Sequence, residues 1–168
     1  MNPTSKKKPD IVIVDDHLLF RQGLKSILNY ENIGSVIGEA SNGEEFIKLL
    51  QTLTPDLVLM DIDMPLMNGL EATQKALKLL PDLKIIAFTE FSEEEYCSEM
   101  RDLGAKGFLK KSDGFNELEN AIQIVMKGEN YFISELSSNI ENENKHQELI
   151  QLVEEDTKKT KGKMMFFP

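Results

Sequence analysis

Two unbroken apolar tetrads, IVIV at 11–14 and LVLM at 57–60, each stop abruptly on an aspartate. Runs this short do not make helices, and their strand-forming residues without polar alternation predict strands buried on both faces. The second tetrad carries the richer ending. In PDLVLMDIDMPLMNG, Asp61 closes the strand, Asp63 follows two residues later, and Pro65 and Gly69 mark a turn. Open parallel sheets build their sites at the carboxyl ends of strands, which is where this acid falls. A lone strand-end aspartate is commonly just an N-cap or turn residue, but Asp61 has company.

Helical periodicity fills the gaps between strands. Phe20, Leu24, Ile27 and Leu28 fall at i, i+4, i+7 and i+8, one face of a helix over 17–30. Residues 35–40 form a weaker strand, and Asn42 with Glu45 three residues on opens a capped helix ending near Gln51. Beyond Asp61, Leu70, Thr73, Leu77 and Leu80 share a helical face until Pro81 ends it. LKIIAFT at 83–89 is the next buried strand, and Ser92 with Glu95 signals a helix that Gly104 stops. A short strand at 106–109 runs into Lys110-Lys111-Ser112. Leu118, Ala121, Ile122 and Val125 then mark a last helix up to Gly128. Five strands alternating with five helices imply an α/β domain, a doubly wound five-stranded parallel sheet covered on both faces.

That domain spans 10–128, after a flexible leader at 1–9. From 129 the chain turns Asn- and Glu-rich, and 129–168 is expected to be a linker and tail with one short amphipathic helix near 145–158. A net charge of −10, with 29 acidic against 19 basic residues, disfavours nucleic-acid or anionic-membrane binding. The single cysteine, Cys97, rules out an intrachain disulfide framework, and the apolar run following Lys6, Lys7 and Lys8 is too short for a signal or membrane segment. A soluble, cytoplasmic protein is expected.

Strand ends gathered on one edge bring Asp15, Asp16, Asp61, Asp63, Thr89 and Lys111 within reach of one another. Carboxylates packed together repel and raise one another's pKa unless a cation sits among them. Oxygen donors with room for water favour Mg²⁺, or Mn²⁺, over Zn²⁺. A lysine ammonium and a threonine hydroxyl beside them suit a phosphoryl group. Each residue also has a plainer use: Asp15 as an N-cap, Thr89 as a strand former, Phe108 as packing, Gly69 as a backbone necessity. Lys110 competes with Lys111, although alternation and spacing favour Lys111.

The acidic pair in IVIVDDH, the block MDIDMPLMNG, the threonine of IIAFT and the run GAKGFLKK together resemble the receiver domain of two-component response regulators, over about 10–128. That resemblance implies a flavodoxin-like, CheY-like fold with strand order 2-1-3-4-5. Carried over by position, it makes Asp61 the phosphoacceptor, Asp16 a direct Mg²⁺ ligand and Asp15 its helper through water. Asp63 gives the metal a backbone carbonyl, Thr89 and Lys111 bind phosphoryl oxygens, and Phe108 is the aromatic that changes rotamer on activation. The implied partner is a histidine kinase or phosphotransfer protein. A homodimer is also implied, with Tyr96, Met100 and Phe115 as candidate exposed apolar positions. DDHLLFRQGLKSIL resembles the branch with helix-turn-helix outputs, the NarL/FixJ/LuxR type.

There are departures from the pattern. Ser112 stands where the family has proline, so a cis peptide there loses its usual cause, and Phe91 occupies a position two beyond Thr89 that is commonly small or polar. No LTxRE-type start follows residue 128, so the chain is expected to stand alone or to have lost its DNA-binding output. A second reading comes from Asp61-Ile62-Asp63, which resembles the DxD of haloacid-dehalogenase-type phosphatases. Against it, those enzymes place their metal-binding acid pair downstream of the lysine and carry a cap insertion.

Overall fold

The structure, a computed structural model, describes residues 7–91 and 93–132. The tail helix expected near 145–158 and the N-cap Ser92 lie outside the described residues. The two aspartate-terminated tetrads form β1 (Asp10–Val14) and β3 (Leu57–Met60), joined in parallel register with Ile11 opposite Leu57 and Val14 opposite Met60. The remaining strands are β2 (Ser35–Ala40), β4 (Lys84–Thr89) and β5 (Gly107–Lys110), with a two-residue β6 at Tyr131–Phe132. Their order is β2-β1-β3-β4-β5-β6, and every pairing is parallel. The doubly wound architecture is therefore present, with one more strand than expected. β6 prolongs the sheet past residue 128 and pairs Phe132 with Phe108.

Five helices cover the sheet: α1 (Leu18–Tyr30), α2 (Gly43–Leu49), α3 (Gly69–Leu79), α4 (Glu94–Leu103) and α5 (Phe115–Met126). Alternation along the strands divides the core. Val12, Val14, Val58, Met60, Ile85 and Ala87 pack with Phe46, Ala72, Ala76, Cys97 and Met100 of α2, α3 and α4. The intervening strand residues Ile11, Ile13, Leu57, Leu59 and Ile86 are equally buried and point to the opposite face, which α1 and α5 cover. Residues 11–14 of β1 and the whole of β3 are thus sealed above and below, as their lack of polar residues requires.

Local signals account for most helix ends. The Asn42 side chain accepts from the Glu45 amide at 2.9 Å, and Glu45 reaches back to the Ser41 amide at 2.8 Å. α2 ends at Leu49, two residues short of expectation. α4 begins after Glu93, which makes no side-chain cap bond, and Gly104 closes it in the left-handed region at φ 104°. Met100 is fully buried on α4's inner face beside Cys97, and Tyr96 and Phe115 are half-buried. Met100 is therefore not an exposed apolar position: its spacing from Cys97 puts both on the stripe that faces the sheet.

Gly69 positions the site through its lack of a side chain. Its amide donates to the Ile62 carbonyl at 2.8 Å, and a Cβ built there would lie 2.0 Å from the Asp61 carbonyl oxygen. The obstacle is main chain, which cannot rotate away. Gly69→Ala is expected to destabilise the protein by about 1–3 kcal/mol, measured by urea denaturation. A change under about 0.5 kcal/mol would show that the β3–α3 loop can move freely.

Candidate functional site

Four strand ends and the residues just past them converge on one edge of the sheet. Asp15 and Asp16 follow β1, Asp61 follows β3, Thr89 closes β4, and Lys111 opens a 3-10 turn (Lys111–Asp113) directly after β5. The carboxylate oxygens of Asp15, Asp16 and Asp61 lie within 4.8 Å of one another. Asp15 and Asp61 are buried, while Asp16 is exposed at the mouth. A cleft of about 210 Å³ opens over them, lined by Asp16, His17, Asp61, Asp63, Glu90, Phe91 and Lys111.

Lys111 reaches into this cluster. Its Nζ stands 2.6 Å from Asp15 Oδ2 and 3.4 Å from Asp61 Oδ2, with only 9 % of the side chain exposed. Lys110 points elsewhere, pairing at 3.9 Å with Asp113 while 43 % exposed. Strand alternation is only part of the reason: β5 has already ended at Lys110, and the turn carries Lys111 over the sheet edge.

Burial pushes the Asp61 carboxyl above its ordinary range, and the neighbouring Asp15 charge pushes the same way. Lys111 and hydrogen bonds from the Thr89 hydroxyl and the Ile62 amide offset this only in part. Burial opposes charge on Lys111 as well. There the hydrogen bond to Asp15 and the attraction of both carboxylates prevail, and its pKa rises. One ammonium thus stands among three acids, leaving the cluster net negative. This excess suits a cation bound by hard oxygen donors, so Asp15, Asp16 and Asp61 fit Mg²⁺ or Mn²⁺.

Of the other expected residues, Asp63 is exposed on the cleft wall, and Thr89 is wholly buried with its Oγ1 accepting from the Phe91 amide at 3.3 Å. Phe108 is 7 % exposed, packed in the core under α4 and away from the cleft lining. Among the described residues no peptide is cis, Ser112 included. Three neighbours escaped the sequence reading. The His17 amide donates to Asp15 Oδ1 at 2.8 Å, a bond that any residue at that position could make. Arg21 donates to the Asp15 carbonyl at 2.5 Å and pairs with Glu39 of β2 at 3.3 Å. Its only sequence signal is a cation beside α1's apolar stripe. Phe20, read as a core residue of α1, places its ring 4.3 Å from Lys111 Nζ.

Comparison with known proteins agrees with this arrangement. Residues 11–123 match the response regulator receiver domain. The transcriptional regulatory protein DegU of Brevibacillus brevis is 35 % identical over 136 residues, covering 81 % of this chain and 58 % of that protein. The oxygen regulatory protein NreC of Staphylococcus aureus (strain JH9) is 40 % identical over 134 residues, covering 79 % and 62 %. The chain therefore spans about three-fifths of the length of these relatives. A LuxR-family two-component response regulator from Aurantimonas sp. SI85-9A1 superposes with a TM-score of 0.74 at 28 % identity, covering 82 % of this chain and 99 % of that structure. No helix among the described residues is long and apolar enough to cross a membrane. The family match does not support the alternative of a haloacid-dehalogenase-type phosphatase, which rested on the DxD spacing with a downstream threonine and lysine. With the strand order, the acid cluster and these matches together, the chain belongs to the response regulator receiver family, in the branch of the NarL/FixJ/LuxR type.

Proposed function

We propose that this receiver is a cytoplasmic, phosphorylation-controlled switch in which Asp61 accepts a phosphoryl group from the phosphohistidine of a histidine kinase or phosphotransfer protein. The observation that carries the reading is the Lys111 ammonium bridging Asp15 and Asp61 beneath an acid-lined cleft open to solvent. An Asp61 carboxylate oxygen would attack phosphorus in line as the bond to the donor nitrogen breaks, leaving an aspartyl phosphate. Lys111 supplies positive charge to the incoming oxygens and Thr89 a hydroxyl donor. Mg²⁺, held by Asp15, Asp16, Asp61 and the Asp63 carbonyl, would supply neutralisation of the charge that builds on the phosphoryl oxygens. Phe108 is the proposed aromatic that reports the change to the α4 side of the sheet.

The test is incubation with acetyl phosphate and Mg²⁺ followed by intact-mass spectrometry. One added phosphoryl group per chain, and none when Mg²⁺ is chelated before the donor is added, is the expected result. No addition, or steady turnover of p-nitrophenyl phosphate, would overturn it.

Phe91 and Asp63 both line the cleft, and water that hydrolyses an aspartyl phosphate approaches opposite the aspartate oxygen. The Phe91 ring is held by Tyr96, with centroids 5.3 Å apart. A bulky ring obstructs that water, whereas Asp63 could orient it. Steric exclusion is the stronger effect, because a bound cation offsets much of the Asp63 charge. Phe91→Ala is expected to shorten the phosphate lifetime several-fold, equivalent to about 1 kcal/mol in the barrier. Loss of phosphoryl mass after donor removal measures it, and an unchanged lifetime would exclude Phe91 from the water path.

A further inference from the structure

Lys111 has a third neighbour besides its two carboxylates. The Phe20 ring lies 4.3 Å from Nζ to its centroid, within the range at which an ammonium is attracted to an aromatic face. Phe20 in turn packs against Phe88, centroid to centroid 5.7 Å, and Phe88 immediately precedes Thr89 on β4. Phe20 also lines an apolar trough of about 370 Å³ between α1 and α5, together with Leu19, Leu24, Ile27, Phe88, Phe115 and Lys111 itself. The ring is anchored by its place on α1 and by its contact with Phe88 of β4, neither of which depends on the lysine. The ammonium, by contrast, ends a chain of four methylenes that would otherwise sample many rotamers.

We propose that Phe20 is a positioning residue for phosphoryl acceptance: its ring holds the Lys111 ammonium over Asp61. The inference rests on the phosphoacceptor reading of Asp61 and deepens it. Asp15 and Asp61 attract the ammonium, but at 2.6 Å and 3.4 Å they do so unequally. With the carboxylates alone Lys111 would settle fully on Asp15, the nearer and more buried acid. The ring supplies a fixed contact outside that pair, holding Nζ where an incoming phosphoryl oxygen can take the place of an Asp61 contact. Because the attraction is to the π-face, an apolar residue of similar bulk does not replace it.

The test separates ring electronics from packing. Phe20→Leu, Phe20→Tyr and a chain carrying pentafluorophenylalanine at position 20 are compared, with circular dichroism and Mg²⁺ affinity as controls for fold and metal site. The rate of phosphorylation by acetyl phosphate is expected to fall about tenfold with leucine and with the fluorinated ring, equivalent to about 1.4 kcal/mol. Tyrosine is expected to stay within about threefold of the parent chain. The ε-methylene proton resonances of Lys111 should show an upfield ring-current displacement that tyrosine keeps and leucine loses. If the fluorinated chain reacts at the parent rate, or if no ring-current displacement exists, Phe20 is packing alone and the proposal fails. If the parent chain takes up no phosphoryl group, the Asp61 reading fails instead, and the ring-current result still decides whether Phe20 positions Lys111.

Discussion

Asp61→Asn is expected to take up no phosphoryl group from acetyl phosphate and Mg²⁺, and to unfold at a higher temperature than the parent protein when metal is absent. The first outcome follows from chemistry. An amide keeps the shape of the side chain but has no anionic oxygen to form the bond to phosphorus. The second follows from the electrostatics of the cluster. Asp61 is buried close to Asp15, so its pKa in the folded chain lies above the ordinary 3.8. A group whose pKa is raised by folding contributes most below its unfolded value, and that contribution is lost as pH rises through the folded value. At neutral pH the ionised Asp61 therefore costs the metal-free fold stability that asparagine does not. The gap in melting temperature should be small in acid and widen as pH rises past 3.8. Adding Mg²⁺ should narrow it, because binding stabilises the parent chain by mass action more than the variant. Equal phosphoryl labelling of both proteins would remove Asp61 from its role. A variant that melts lower at pH 7 would show that the carboxylate's hydrogen bonds outweigh its burial.

Lys111→Ala should be the most destabilising change at the site. It removes an ammonium that touches both Asp15 and Asp61, leaving two buried carboxylates without that partner. Breaking a buried ion pair from one side costs about 3–5 kcal/mol. The lower figure applies here, because the cleft admits water to the cluster. Lys110→Ala, by contrast, loses a half-exposed contact at 3.9 Å and should change stability by less than about 0.5 kcal/mol. The Lys111 pKa is raised above 10.5, so its contribution is fully present below that value and fades only as pH climbs through the raised one. Urea titrations at pH 7 and pH 9 should therefore give similar costs. Beryllofluoride, a phosphoryl mimic, should shift the Phe108 resonances in the Lys110 variant and fail to do so in the Lys111 variant. Equal behaviour of the two variants would mean that Lys110 can serve in place of Lys111.

The fold was legible in the sequence wherever burial was extreme. Residues 11–14 and Leu57–Met60 carry no polar side chain and became the two strands sealed on both faces. Legibility faded with length. Tyr131 and Phe132 are two residues after a Gly128 stop, too few to show any period, and only their pairing with Gly107 and Phe108 makes them a strand. Convergence of Asp15, Asp61, Thr89 and Lys111 could be anticipated, because parallel strands deliver their carboxyl ends to one edge. The supporting contacts could not. Arg21 and Phe20 sit on α1, and which strand-end group each meets depends on how that helix lies across the sheet. Met100 shows its burial only through the stripe it shares with Cys97; as a single apolar residue it carries no sign of which way it faces.

The paired registers give this edge a step size. Val14 is locked opposite Met60, Met60 opposite Ala87, and Thr89 opposite Lys110. A strand can slide against its neighbour only by whole residues, about 3.3 Å at a time, and a single step turns its side chains to the wrong face. No fraction of a step exists for a bound group to pull on. The sheet therefore behaves as a ruler against which Asp15, Asp61 and Thr89 keep their spacing whatever occupies the cleft. What the ruler leaves free is the side-chain torsions at the edge and the loops after each strand. Such torsions hop between discrete wells, so the side-chain part of any response is a choice among wells and not a graded strain.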